Sequence, residues 1–440
     1  MCSFLFTNKT IDNIDEVNRF MKLRGPDGTN VININGHTFI HNILSITGDY
    51  AQQPFVDGNI VCVYNGQIYN YDEFGDYRSD GECLIPLYKK YGKDFIAKLD
   101  GEFAIVLVDY SINKFIISTD VFATKPLWFH VGDNVSVASY QSAIGKDAIK
   151  LEANTTQVYN LNTRELLSED VVYQFELTQH KTNFDDWIAT FEHSIHKRTR
   201  NLREDLFIGL SSGYDSGAIS CELNRQNVPY KAYCIVATED HQILNQRFDL
   251  FNSNTTGKYL RDAGKKYLDY INQNVEEFNY RIYSSSSDYN EFDKRLHDDR
   301  GSSGLSMIFH FAKKEGKKIN LSGSGADEIF SDYGFNGVKK FQHSNFGGLF
   351  PEDLSSIFPW ASFYGSSMIS YLAKEEYIAG SYGIETRYPY LDKDVVQEFL
   401  WLHHTLKNSN YKSVLYEYFT KYNYPVKLDT KNGFGCIAPQ

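Results

Sequence analysis

A chain of 440 residues exceeds what one hydrophobic core ordinarily organises and predicts two domains, with room for two active sites. A formal charge of −12 with no long basic run excludes a nucleic-acid footprint, which needs clustered Lys and Arg against phosphate. No segment reaches the ~18 apolar residues of a membrane span, so no membrane partner is expected and the Met1-Cys2 start is not read as lying behind a targeting segment.

Cys2, Cys62, Cys83, Cys221, Cys234 and Cys436 show no CxxC or other metal-ligand spacing, which predicts free thiols in a reducing cytoplasm. From residue 1 to about 175 the chain reads as short strands, at residues 59–64, 103–108 and 114–118, with helices near 14–23 and 82–91. Asp57-Gly58 and Asn65-Gly66 read as turn dipeptides between them. Past Thr178 the pattern changes. Residues 183–199 predict an amphipathic helix, 206–210 an apolar strand, and 217–227 a second helix after a Ser/Gly turn. Strands at 232–237 and 318–321 continue the scheme of a parallel α/β sheet, and the boundary is placed near 170–182. The basic stretch Lys313-Lys314-Glu315-Gly316-Lys317-Lys318 reads as a solvated turn, and residues 284–287 and 346–348 as flexible loops.

Two constellations carry chemistry. At the start, Cys2 with Met1 removed would own both a thiol and an α-amine, nucleophile and base in one residue. A lone Cys is more often a small core residue, and each of Arg24-Gly25-Pro26-Asp27-Gly28, Tyr64-Asn65-Gly66-Gln67-Ile68-Tyr69-Asn70 and Ser79-Asp80-Gly81-Glu82 read alone is a turn. In this order after Cys2 they resemble the glutaminase domain of class II glutamine amidotransferases, with its RGPDG, NGEIYN and SDxE motifs. That resemblance implies that Cys2 attacks the side-chain amide of glutamine and that Asn65 and Gly66 receive the oxyanion. It also implies that Asp80 pairs with the glutamine α-ammonium. The family's HERLSI segment reads His41-Asn42-Ile43-Leu44-Ser45-Ile46, so Ile43 stands where an Arg grips the glutamine carboxylate; Arg24 and the backbone around Leu44 are the candidate replacements.

Further on, Leu210-Ser211-Ser212-Gly213-Tyr214-Asp215-Ser216 lies between a predicted strand and a predicted helix, where backbone N–H groups favour anions. It resembles the SGGxDS loop of ATP pyrophosphatases, and Leu321-Ser322-Gly323-Ser324-Gly325-Ala326-Asp327-Glu328 resembles the SGxGxDE segment of asparagine synthetase. Ser212 replaces the first Gly of SGG, which predicts strain if the loop needs positive φ. Gly383-Ile384-Glu385-Thr386-Arg387 resembles GxExR, and Thr430-Lys431-Asn432-Gly433-Phe434 the lysine-bearing RxKxxF region.

The combined resemblance, to the glutamine-hydrolysing asparagine synthetase family, implies an α+β Ntn-hydrolase-like sandwich of antiparallel sheets over residues 1–175. An α/β parallel-sheet ATP-pyrophosphatase domain over 176–440 would follow it. It implies ATP held by Leu210, Ser211, Ser212, Gly213, Asp215, Ser216, Ile235, Ser322 and Gly323, Mg²⁺ by Asp215 and Asp327, Glu385 on the acceptor side, and Lys431 at the α-phosphate. Glutamine and a carboxylate acceptor would be the partners, with aspartate as default and a sugar acid or specialised metabolite as the alternative. A third reading is a degenerate paralogue that binds glutamine or ATP without turnover. A homodimer stays open. An apolar internal passage from Cys2 toward Asp215 is expected to carry ammonia.

Overall fold

The computed structural model of the protein describes residues 2–235, 239–260 and 300–428. The expected end of the strand at 232–237, the loop at 284–287, Lys431 and Cys436 lie outside the described residues.

Twelve strands build two six-stranded antiparallel sheets. They are β1 Ser3–Thr7, β2 Gly28–Ile34, β3 His37–Ile43, β4 Phe55–Asp57, β5 Ile60–Ile68, β6 Gly101–Asp109, β7 Lys114–Thr119, β8 Trp128–Val131, β9 Val135–Ala138, β10 Ile149–Lys150, β11 Thr155–Asn160 and β12 Leu166–Val171. One sheet runs β10-β8-β9-β1-β3-β2 and the other β12-β11-β7-β6-β5-β4. They face each other across Phe4, Phe6, Phe39, Val61, Val63, Val106 and Phe115, the sandwich that the resemblance implies. The alternate residues Cys62, Tyr64, Ile105 and Leu107 of β5 and β6 join a second core that continues into the other half of the chain. A strand buried on both faces cannot alternate polar and apolar, which is why β5 and β6 read as unbroken apolar runs.

Asn65-Gly66 is not the turn its composition predicts. Both residues lie inside β5, paired with Ala104 and Phe103 of β6, because ladder partners more than thirty residues away outweigh a local turn preference.

Among the described residues the second half is organised by five parallel strands, β13 Leu206–Gly209, β14 Lys231–Ile235, β15 Thr256–Leu260, β16 Ile319–Leu321 and β19 Glu385–Arg387, in the order β15-β14-β13-β16-β19. A two-stranded hairpin, β17 Gly334–Phe335 and β18 Val338–Lys339, stands apart. The helix Asp185–Thr199 starts where the Asn183 side chain accepts the Asp185 N–H, and it buries Trp187, Ile188, Phe191 and Ile195 on one face. The chain lays β13, β14 and β15 outward in one direction, then returns to lay β16 and β19 on the other side of β13. The carboxyl ends of β13 and β16 therefore flank the switch point at which open parallel sheets form their crevice.

The loop at 346–348 is tied down rather than free. The buried Asp332 carboxylate accepts the N–H groups of Asn345 at 2.7 Å, Phe346 at 2.7 Å and Gly347 at 3.2 Å, and the Ser344 hydroxyl at 3.0 Å. The basic stretch at 313–318 is solvent-facing as expected, but it begins in the last turn of the helix Arg300–Lys314 and is paired, with Lys317 on Asp205 and Lys318 3.0 Å from Glu204.

Where the two halves meet, buried ion pairs stand beside the apolar core that the halves share. Lys125 lies 3.0 Å from Glu376 and 3.4 Å from Glu102, and it donates to the Thr386 carbonyl at 2.7 Å. Arg24 pairs with Glu376 on the other side, Arg198 bridges Glu102 at 2.9 Å and Asp392 at 2.7 Å, and Arg387 lies 2.6 Å from Glu385. The short strand β19 carries Glu385, Thr386 and Arg387 into this seam, so the edge of the parallel sheet is also the contact to the sandwich. Removing one member leaves its partners charged and buried. Glu376→Gln, which strips Arg24 and Lys125 of a shared carboxylate, is expected to lower stability by ~3–5 kcal/mol in urea unfolding, and a loss under ~1 kcal/mol would contradict this role.

Candidate active sites

Cys2 immediately precedes β1, a central strand of its sheet, and lies under the end of β5 in the other. Its N–H donates to Asn65 Oδ1 at 2.8 Å, and its carbonyl accepts from Arg24 Nε at 3.0 Å. Burial pushes the thiol above its ordinary value, while the positive amino terminus and a hydrogen bond from the Leu44 backbone pull it down. Asn65 is fully buried, and its Nδ2 finds no acceptor among the described residues. Gly66 has φ +147°, and a Cβ there would stand 2.0 Å from the Glu102 carbonyl oxygen, so only glycine lets β5 pass β6 at this point.

Asp80 is buried nearby. Its oxygens accept from the Tyr64 hydroxyl at 2.7 Å and the Ile68 N–H at 2.8 Å, and burial raises its carboxyl above the ordinary range. Arg24 is built under Cys2 rather than toward an open face, with one Nη on the Glu376 carbonyl at 3.0 Å and the other on the Glu376 carboxylate. The buried side chain of Ile43 offers no charge. Glu385 also falls in this neighbourhood: burial acts to raise it, but the amino terminus, Arg387 and Lys125 hold it at about 2, and its charge in turn raises Cys2. The residue expected on the acceptor side thus stands by the thiol.

The second cluster lies at the carboxyl ends of β13 and β16. Ser211, Asp215, Ser216, Ser322, Gly323, Ser324 and Asp327 line one cavity of about 340 Å³. The helix expected at 217–227 begins earlier, at Tyr214, directly after Gly213, so the loop and the helix N-terminus form one unit. Ser212 does not adopt positive φ, and the strain expected of it is absent; its N–H and hydroxyl both donate to Glu239, at 2.5 and 2.6 Å. The loop therefore already receives an anion, the chain's own carboxylate. A Cβ on Gly323 would meet Asp215 at 2.8 Å, which is how closely the two loops abut. Leu210 and Ile235 are buried at the ends of β13 and β14 and are not among the residues that line the cavity.

Asp215 and Asp327 converge on a group that no motif announced. The Lys412 ammonium sits 2.5 Å from Asp215 and 2.9 Å from Asp327, is almost fully buried, and has φ +47°, a conformation that side chains other than Gly rarely adopt. Burial acts to lower its pKa, but the two aspartates hold it well above the ordinary lysine range. Its one sequence signal was a lysine directly before the helix Ser413–Tyr422, which carries no information about a partner nearly two hundred residues away.

Residues 1–178 match the glutamine amidotransferase domain family. Over 363 residues the protein is 26% identical to asparagine synthetase [glutamine-hydrolyzing] 3 of Arabidopsis thaliana, covering 76% of this chain and 61% of that one. Over 393 residues it is 25% identical to a putative asparagine synthetase [glutamine-hydrolyzing] 1 of Methanocaldococcus jannaschii, covering 81% and 68%. The first 178 residues thus carry a glutamine amidotransferase domain, and the chain as a whole is similar to asparagine synthetases. It spans about six tenths of the length of the plant asparagine synthetases it matches. Among solved structures, the glutamine phosphoribosylpyrophosphate amidotransferase of B. subtilis, complexed with ADP and GMP, superposes with a TM-score of 0.32 at 15% identity, covering 48% of this chain and 60% of that one.

The site gives two predictions. Gly66→Ala forces a carbonyl and a Cβ into the same space and is expected to cost at least ~1–3 kcal/mol in urea unfolding, and an unchanged midpoint would contradict the close approach. Burial raises Glu375, beside the second loop, from 4.5 to about 7, so the folded state holds a proton there that the unfolded state releases. That contribution is present below pH 4.5 and is lost as pH rises through 7. The urea midpoint should fall between pH 5 and 8, and fall less in Glu375→Gln; equal slopes would contradict it.

Proposed function

We propose that the protein is a glutamine-dependent, ATP-dependent amidotransferase, with a glutaminase over residues 1–175 and a synthetase over 176–440. The observation that carries this reading is Asn65: its Oδ1 fixes the Cys2 backbone while its buried Nδ2 has no acceptor among the described residues. An orphaned donor in that place is matched by the oxyanion of a tetrahedral adduct.

In the first half-reaction the Cys2 sulfur attacks the glutamine side-chain amide, Asn65 Nδ2 and the Gly66 N–H receive the oxyanion, and ammonia leaves a glutamyl thioester that water cleaves to glutamate. Asp80 would take the α-ammonium of glutamine. Its existing hydrogen bonds from Tyr64 and Ile68 fix the carboxylate's orientation. Arg24 positions Cys2 through its carbonyl.

In the second half-reaction a carboxylate attacks the α-phosphorus of ATP, pyrophosphate leaves, and ammonia displaces AMP from the acyl-adenylate to give an amide. The Ser211–Ser216 loop and Gly323 would receive the phosphates, the anion-receiving character that Glu239 on Ser212 supports, while the Ser322 and Ser324 hydroxyls are held by Glu375. The hard oxygens of Asp215 and Asp327 fit Mg²⁺, as their convergence on the Lys412 ammonium supports, and the ion would neutralise phosphate charge there. Lys412 adds a second cation beside the same phosphates. Aspartate is the default acceptor. Another carboxylic acid, such as a sugar acid, is the second reading: the cavity wall sets the aromatic rings of Tyr333, Phe341 and Tyr371 beside a single lysine among the described residues, Lys374.

The test separates the half-reactions. Cys2→Ala should lose glutamate release from glutamine by ~10³-fold or more while keeping pyrophosphate release with ammonium, ATP and an acceptor acid. Glutamate release that survives the substitution would contradict the assignment.

A further inference from the structure

Amide formation leaves one proton to be placed. Ammonia brings three hydrogens to the acyl carbon and the amide keeps two. Glu385, expected to serve there, stands on the Cys2 side of the seam. Besides the two aspartates, the carboxyls that line the cavity among the described residues are Glu328 and Glu375. Glu328 serves its own helix as the N3 residue of a capping box, one oxygen accepting the Gly325 N–H at 3.1 Å and the other the Tyr333 hydroxyl.

Glu375 is held differently. Oε2 accepts from the Ser322 hydroxyl at 2.6 Å and the Ser324 hydroxyl at 2.8 Å, and Oε1 from Asn320 Nδ2 at 3.1 Å. All three partners line the same cavity, and two of them belong to the second anion loop. Hydroxyls can turn to donate or accept, so the same pocket holds the carboxylate and the carboxylic acid alike. The residue is 4% exposed and sits on the helix Ser367–Tyr382, one position before the seam residue Glu376, so the backbone that places it is fixed from the other side by Arg24 and Lys125.

We propose that Glu375 is the proton acceptor for amide formation in this cavity, with Ser322 and Ser324 as its positioning residues. The proposal rests on the two-site reading above. The nitrogen lone pair forms the C–N bond at the acyl carbon and the bond from that carbon to the AMP phosphate oxygen breaks. One N–H proton passes to the Glu375 carboxylate and returns to solvent after the amide leaves. Burial pushes this carboxyl up to about 7, against the pull of Ser322 and Ser324 and with the neighbouring Glu376 charge adding to the rise, which suits a base working near neutrality.

The experiment compares wild type with Glu375→Gln in three readouts: glutamate release from glutamine, ATP–pyrophosphate exchange, and amide formation from ammonium, the last two with L-aspartate, L-glutamate and D-glucuronate in turn. Glutamate release arises at Cys2 and reports folding. The expected result is exchange within ~3-fold of wild type with amide formation down ~10²-fold or more, and partial recovery in Glu375→Asp. Amide formation near the wild-type rate, or exchange and amide formation falling together, would overturn the proposal. No exchange by wild type with any of the acids would overturn the ATP-dependent reading and this inference with it. If Glu375→Gln releases no glutamate and is misfolded, Ser324→Ala decides: a ~10-fold loss confined to amide formation supports the proposal, and an unchanged rate overturns it.

Discussion

One buried carboxylate, Glu376, held between Arg24 and Lys125, is the interaction on which the rest of the structure depends. Arg24 carries the carbonyl of Cys2, and Lys125 carries the Thr386 carbonyl of β19, so a single side chain fixes the thiol of one half and the edge strand of the other. Ion pairs so deep contribute little net stability against a well-packed apolar alternative, because desolvation costs about what attraction returns. What they do impose is geometry: a register between two bodies that an apolar interface would let slide.

The helix Ser367–Tyr382 turns that geometry into a link between sites. Successive residues on an α-helix point about 100° apart. Glu376 therefore looks into the seam while Glu375 looks into the cavity between the two anion loops. β19 has the same double role, pairing with β16 beside one loop and placing Glu385 and Arg387 next to Thr47 and Gln67 of the sandwich. The seam carries charges beside the apolar core that the two halves share. A path for ammonia along it would run beside carboxylates and cations, and its protonation on the way becomes a matter of how those charges are paired.

Much of this was legible in the sequence. The unbroken apolar runs of β5 and β6, the two Ser/Gly loops after short apolar strands, and the change of pattern past Thr178 each have a local physical cause that a linear reading captures. What failed were the features fixed by distant partners. Asn65-Gly66 has the composition of a turn and sits in a ladder because β6 pairs with it. Ser212 looked strained and is not, because Glu239 supplies the acceptor its amide needs. Lys412, Glu375 and Glu376 lie outside any motif that local spacing reveals, and their importance comes from what lies across the fold from them: Asp215 and Asp327, the serines of a loop, and an arginine more than three hundred residues away.

The central claim is that the thiol and the paired loops form one nitrogen-transfer machine. Its most direct test is to supply glutamine labelled with ¹⁵N in the amide, together with ATP, an accepted carboxylic acid and an excess of unlabelled ammonium, and to weigh the amide product by mass spectrometry. Product carrying label well above the proportion in the bulk ammonia pool is the result this account predicts. Product labelled only in bulk proportion, or glutamine consumed with no label transferred, would contradict it.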